Sequence, residues 1–217
     1  MKNILTLLLV FFGLSASATH LVGGNMTYTY LGDTDGDGNY NYKITFQTFL
    51  DCNSQNWLTG FPNQFPEGTL DVGIYEGGAS PSGNLTQTTS LAMFLVDSNS
   101  IIPPTTNGCS IGQTVCLYQA TYEAEVDLPL SFSGYHIFYD RCCRTPSVIN
   151  LLNPGDQGLA FHAFIAPTLI NNSSPVFSDV PVPFLCVGDT VSILNTATDP
   201  DGDLLIFSFV DPYKGFG

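Results

Sequence analysis

Residues 120–128 read ATYEAEVDL, and their reading decides the fold. Ala120, Tyr122, Ala124, Val126 and Leu128 alternate with Thr121, Glu123, Glu125 and Asp127. That two-residue rhythm belongs to a β-strand with one apolar face and one face in water. A strand wet on one side belongs to an antiparallel sheet, because parallel sheets are covered on both faces.

The same rhythm recurs along the chain. Tyr42, Ile44, Phe46, Thr48 and Leu50 alternate with Lys43, Thr45, Gln47 and Phe49, and further strands are expected over Asn25–Leu31, Thr69–Glu76, Leu91–Val96, Gly134–Arg141 and Leu159–Ala166. Clusters of Gly, Pro, Asn and Ser separate them, and no stretch after the N-terminal leader sustains a helical period. The expectation for residues 19–170 is an all-β, antiparallel β-sandwich of immunoglobulin-like (Ig-like) type. The composition then shifts at Asn171-Asn172-Ser173-Ser174-Pro175, followed by VFSDVPVPF, which reads as a linker or an edge segment. Beyond it, strands are expected over Thr190–Asn195 and Leu204–Val210, around a turn at Thr198–Asp203. These are too few for a sandwich of seven strands, so residues 171–217 read as a linker and the start of a partial second β-sandwich.

The first eighteen residues carry the address. Lys2 precedes an apolar run from Ile4 to Leu14 and then Ala16-Ser17-Ala18, a small-x-small cleavage pattern. A signal peptide over residues 1–18 is expected, with the mature chain starting near Thr19 in the extracellular space or on the outer cell surface. The run is about half the length of roughly twenty residues that spans a bilayer, so no membrane span is expected after cleavage. With nineteen Asp and Glu against five Lys and Arg, the formal net charge is −14. Such a surface repels phosphate backbones, which argues against nucleic acid and for cations or basic protein surfaces as partners.

Six cysteines follow the leader: Cys52, Cys109, Cys116, Cys142, Cys143 and Cys186. An even count in an exported chain without Cys-x-x-Cys knuckles favours disulfides over metal ligation. Cys109 and Cys116 suit a short loop. Adjacent Cys142 and Cys143 point to opposite faces of a strand and so reach separate partners, with Cys52 and Cys186 as candidates.

Two acidic turns are the candidate metal sites. Asp33, Asp35 and Asp37 stand at alternate positions before Gly38, but the twelfth position of an EF-hand frame is Ile44, inside a strand, so that motif fails. What remains is a hairpin turn, either solvated or holding a Ca²⁺ in the roughly 0.1–1 mM range of extracellular modules. Asp199, Asp201 and Asp203, in DPDGD, offer the same choice at a domain junction, with Asp179 and Asp189 within reach. No cofactor is required by either reading. Catalytic signatures are missing: there is no Gly-x-Ser-x-Gly elbow and no His-Glu-x-x-His, and His136 and His162 fall within expected strands, where a structural role is favoured. Tyr28, Tyr30, Trp57, Phe61 and Phe65 are rings that stack on sugars if exposed, with core packing as the alternative.

Taken in order, THLVGGNMTYTYLG, YKITFQTFLDC, GYHIFYDRCCR, NSSPVF and FLCVGDTVSILNTATDPDGDLL resemble the N-terminal region of large surface proteins of the Bacteroidota, the gliding-motility-associated and adhesin-like chains of type IX secretion. The resemblance implies a surface β-sandwich followed by PKD-like or cadherin-like repeats, with no catalytic residues to carry over. The chain departs from that pattern by lacking cysteines near Tyr30, near Leu169-Ile170-Asn171 and near Phe209, and by the acidic insert after Gly32. It also shows no later repeats or sorting domain, and the second module is read as truncated. Two functions are expected. One is a non-enzymatic adhesion or gliding-motility module contacting a surface protein or glycan; the other is an accessory, carbohydrate-binding-like domain of a larger exported enzyme.

Overall fold

The computed structural model describes residues 21–51, 66–81, 85–101, 117–142, 144, 150–179, 190, 192, 194–211 and 213. The leader, His20, Trp57, Phe61, Phe65, Asp189 and all the cysteines except Cys142 lie outside them. Seven antiparallel strands form the main body: β1 Leu21–Gly32, β2 Tyr40–Asp51, β3 Thr69–Glu76, β4 Thr86–Ile101, β5 Leu117–Leu128, β6 Tyr135–Arg141 and β7 Leu159–Ile165. They hydrogen-bond in the order β1-β2-β5-β4-β3-β6-β7. The expected antiparallel all-β architecture is present. In place of two separate sheets, the pairing forms one sheet that curls until its edges approach.

Strand β4 is the reason for the single sheet. Its first part, Thr86–Phe94, pairs with β3, and its second part, Phe94–Ile101, pairs with β5 across an irregularity at Val96. A bulge lets one strand serve two halves by bending the ladder and strengthening its twist. Phe94 and Val96 are exposed at this corner. The spine of the other half is β2 against β5, in unbroken register from Tyr40 opposite Leu128 to Asp51 opposite Leu117.

The core lies inside the curl. Tyr42, Ile44, Phe46, Ala120 and Tyr122 face Ile74, Ile137, Tyr139, Phe161 and Ile165, all buried. The ring of Phe46 meets Tyr139 at 5.1 Å and Phe161 at 5.0 Å, joining the two halves. Burial of a side chain of this size stabilises by about 2–3 kcal/mol. The polar face expected from ATYEAEVDL is outside, where Glu123 accepts from Lys43 at 3.2 Å. This half-exposed pair contributes well under about 1 kcal/mol.

The β5–β6 corner is built around Ser131. Its buried hydroxyl donates to Glu76 at 2.6 Å and accepts from the Gly134 amide at 3.0 Å, while Thr168 Oγ1 accepts from the Ser131 amide at 2.8 Å. Gly134 has φ +93°, and a Cβ there would stand 2.4 Å from the Ile165 carbonyl, so this position takes only glycine without rearrangement. Directly after it, Tyr135 opens β6 and its hydroxyl donates back to the Pro129 carbonyl at 2.9 Å.

Edge strands β1 and β7 run in the same direction, as the alternation across seven antiparallel strands requires. They close on each other at Gly24, where a Cβ would lie 3.0 Å from the Phe161 ring and 2.5 Å from the Gln47 carbonyl. After Asn171 the expectation is corrected. The paired elements there are the two-residue strands β8, Val176–Phe177, and β9, Ala197–Thr198. The expected strand Leu204–Val210 is not in a strand and has no ladder partner among the described residues. Thr190–Asn195 likewise carries no strand at its described positions.

Gly24→Ala is expected to pry this seam and lower stability by about 2 kcal/mol, read as a lower urea midpoint at unchanged slope. A wild-type midpoint would mean that Gly24 is not packed this closely between the Gln47 carbonyl of β2 and the Phe161 ring of β7.

Candidate functional site

Three places carry chemistry-bearing side chains. The first is the β1–β2 hairpin tip. Among the described residues, Asp33, Asp35 and Asp37 are the group of three whose ligand atoms converge within 4.8 Å, and all three are exposed. The tip is held by its own backbone: Asp33 accepts from Gly36 N at 2.6 Å and Gly38 N at 3.1 Å, and Asp37 accepts from Asn39 N at 2.8 Å. Gly36 and Gly38 have positive φ, which is how three carboxylates fit into so short a turn. Asn39 and Asn41 then bridge to Asp127 on β5, at 2.9 and 3.4 Å.

The second is the turn Asp199-Pro200-Asp201-Gly202-Asp203, where the carboxylates diverge. Asp199 Oδ1 accepts from Asp201 N at 2.9 Å and Asp203 N at 3.1 Å, whereas Asp201 Oδ2 turns outward and accepts from Ser173 N at 2.6 Å. Asp179, proposed as a fellow ligand, is taken by Thr196, whose hydroxyl and amide both donate to it. Those bonds hold the Asp179 carboxyl below the usual range.

The third place is the outer face of β6 and β7, where sequence reasoning saw two separate histidines. His136 is fully buried, and its Nε2 lies 2.7 Å from the Gly78 carbonyl while its Nδ1 lies 2.8 Å from His162 Nε2. A carbonyl only accepts, so the proton of neutral His136 sits on Nε2, and His162 Nε2–H donates to the bare Nδ1. Two protonated rings would set N–H against N–H. Burial, then the neighbouring His136, lowers the His162 pKa to about 4. Around the pair, Phe138 stacks on His162 at 4.5 Å, Tyr75 meets Phe138 edge-on at 5.9 Å, and Tyr213 stands edge-on to His162 at 5.2 Å. The β-strand rhythm, by placing His136, Phe138, His162 and Phe164 all out of phase with the core positions, was the signal that could have grouped them.

The rings singled out for sugar stacking fare differently. Tyr28 is 5% exposed, its hydroxyl accepting from Asn172 Nδ2 at 2.9 Å, and Tyr30 packs on Tyr42 at 5.4 Å. Neither is an open stacking ring, because the Tyr28–Tyr42 edge contact at 6.0 Å and the core close over them. Cys142 lies one residue beyond the end of β6 and is disulfide-bonded. Cys52, Cys109, Cys116, Cys143 and Cys186 fall outside the described residues, as stated. No protein-family model, curated protein or solved structure matches this chain.

The lowered pKa of His162 has a signed consequence. Its stabilising contribution is whole above the ordinary value of 6.5 and is lost as pH falls towards about 4. A decline on the order of 1–2 kcal/mol is expected over that interval, less than full linkage because the ring is partly exposed. Urea titrations of wild type and His162→Phe at pH 7 and pH 4.5 check it. The variant should show the smaller decline.

Proposed function

We propose that the chain is an exported, non-enzymatic interaction module of Ig-like type that works at the outer cell surface, in adhesion or gliding motility. The observation that carries the structural half of this reading is the strand order. Lettered in chain order, β1-β2-β5-β4 corresponds to A-B-E-D and β3-β6-β7 to C-F-G, the same strand sets as in an Ig constant-type sandwich, here within one sheet continuous through β4, and this correspondence supports the reading. Tyr135 supports it independently, since a tyrosine opening strand F and bonding back to the backbone of the E–F corner is a mark of that fold. Such modules bind through their end loops and sheet faces, and the acidic surface favours cationic or basic counterparts. Protease treatment of intact cells tests the placement. Digestion of the protein is expected, with a mature N-terminus near Thr19; an uncleaved leader and full protection inside intact cells would overturn it.

The accessory carbohydrate-binding reading draws on one observation, the ring platform of Tyr75, Phe138, His162 and Tyr213 on an outer sheet face. Retardation in polysaccharide-containing gels, abolished by Phe138→Ala, favours it. Ca²⁺ is proposed at Asp33, Asp35 and Asp37 in preference to Asp199, Asp201 and Asp203, since only the first set converges among the described residues. With a Kd near 1 mM, 10 mM Ca²⁺ should stabilise the protein by about 1.4 kcal/mol, raising Tm in wild type and leaving Asp35→Asn unmoved. An unshifted wild-type Tm removes Ca²⁺ from the account.

A further inference from the structure

Two segments set apart by the sequence reading, the Asn172-Ser173-Ser174 stretch and the DPDGD turn, meet at the edge of the sheet. Strand β1 is an edge of the sheet, paired only with β2, so among the described residues the outward amides of Tyr28 and Tyr30 have no strand to receive them. Open edges of this kind recruit other chains unless they are covered. Here serine side chains cover it. Tyr28 N donates to Ser174 Oγ at 2.8 Å and Tyr30 N to Ser173 Oγ at 3.2 Å, while Ser174 N donates to the Tyr28 carbonyl at 2.9 Å. Both serines are buried, at 5% and 8% exposure. One donor of this patch points away from β1, the Ser173 amide, and it meets the Asp201 carboxylate at 2.6 Å. A hydrogen bond to an ionised acceptor is about twice as strong as a neutral one.

We propose that the Asp199–Asp203 turn is a lock on the seam of the sheet, in which Asp201 pins Ser173 and thereby holds the serine seal on β1. The β8–β9 ladder delivers it. Val176 pairs with Thr198, and continuing that antiparallel register by three residues sets Ser173 opposite Asp201. Asp199 makes the turn rigid by accepting from Asp201 N and Asp203 N, and the positive φ of Gly202 closes it. The chain leaves the first body, turns back through two short strands, and fastens its own point of departure.

Amide hydrogen exchange on the mature chain, resolved by NMR, tests the lock. Asp201→Ala is expected to speed exchange at Ser174, Tyr28 and Tyr30 by about tenfold or more, leaving Ile44 and Tyr122 at the sheet centre unchanged. Asp203→Ala, in the same turn without a contact to Ser173, should leave all five as in wild type. Should the alanine variant fail to fold, Asp201→Asn keeps the volume and should show the same pattern more weakly. Unchanged exchange at Tyr28 and Tyr30 overturns the proposal. So does an equal rise at Ile44 and Tyr122, which would make Asp201 a general stabiliser.

Discussion

Everything in this molecule follows from the need to bury one apolar face per strand. Seven strands in a single flat sheet would leave that face in water, so the sheet curls and folds the face onto itself. The contact that holds the curl is Phe46 against Tyr139 and Phe161, where residues of the second, sixth and seventh strands meet across the interior. Strand β4 makes the curl continuous by serving both halves, with its bend at Val96. Smaller side chains at these positions would leave a cavity where the halves meet.

Much of this was written in the alternation. Each strand of the main body overlaps the segment that the period of two picks out, and β3 coincides residue for residue with Thr69–Glu76, but the expected Leu91–Val96 is only the middle of β4, which runs from Thr86 to Ile101. What alternation does not encode is which strand lies beside which. The sharing of β4 between two halves depends on a bulge, which is a local irregularity with little signature in residue type. Past Asn171 the same logic misled, because Leu204–Val210 has strand composition but pairs with no strand among the described residues. Composition specifies a preference, and pairing requires a partner.

The candidate sites show the same limit more sharply. DTDGD and DPDGD look alike in sequence, yet their carboxylates go to different uses. At the hairpin tip the acids gather and satisfy one another's backbone, and at the second turn Asp199 organises the loop while Asp201 reaches out to Ser173. The difference lies in what the flanking ladders bring near, which spacing alone does not reveal. The histidines are a parallel case. Each looked like an isolated strand residue, and antiparallel register placed His136 beside Phe164 and within reach of His162, out of phase with the core, where shared protons and stacked rings make them one unit.

The serine seal has a kinetic corollary. Tyr28 and Ser174 are 146 positions apart, and β2 is separated from its partner β5 by 80 positions at Lys43 and Glu123 and 72 at Thr48 and Ala120. A polypeptide emerging from its N-terminus therefore exposes a ready β1–β2 hairpin long before the residues that complete and cover it have appeared. Non-local pairing of this kind makes for slow maturation and a prolonged interval of vulnerability to mispairing. The exposed edge of that hairpin stays uncovered until residues 173 and 174 have joined the chain.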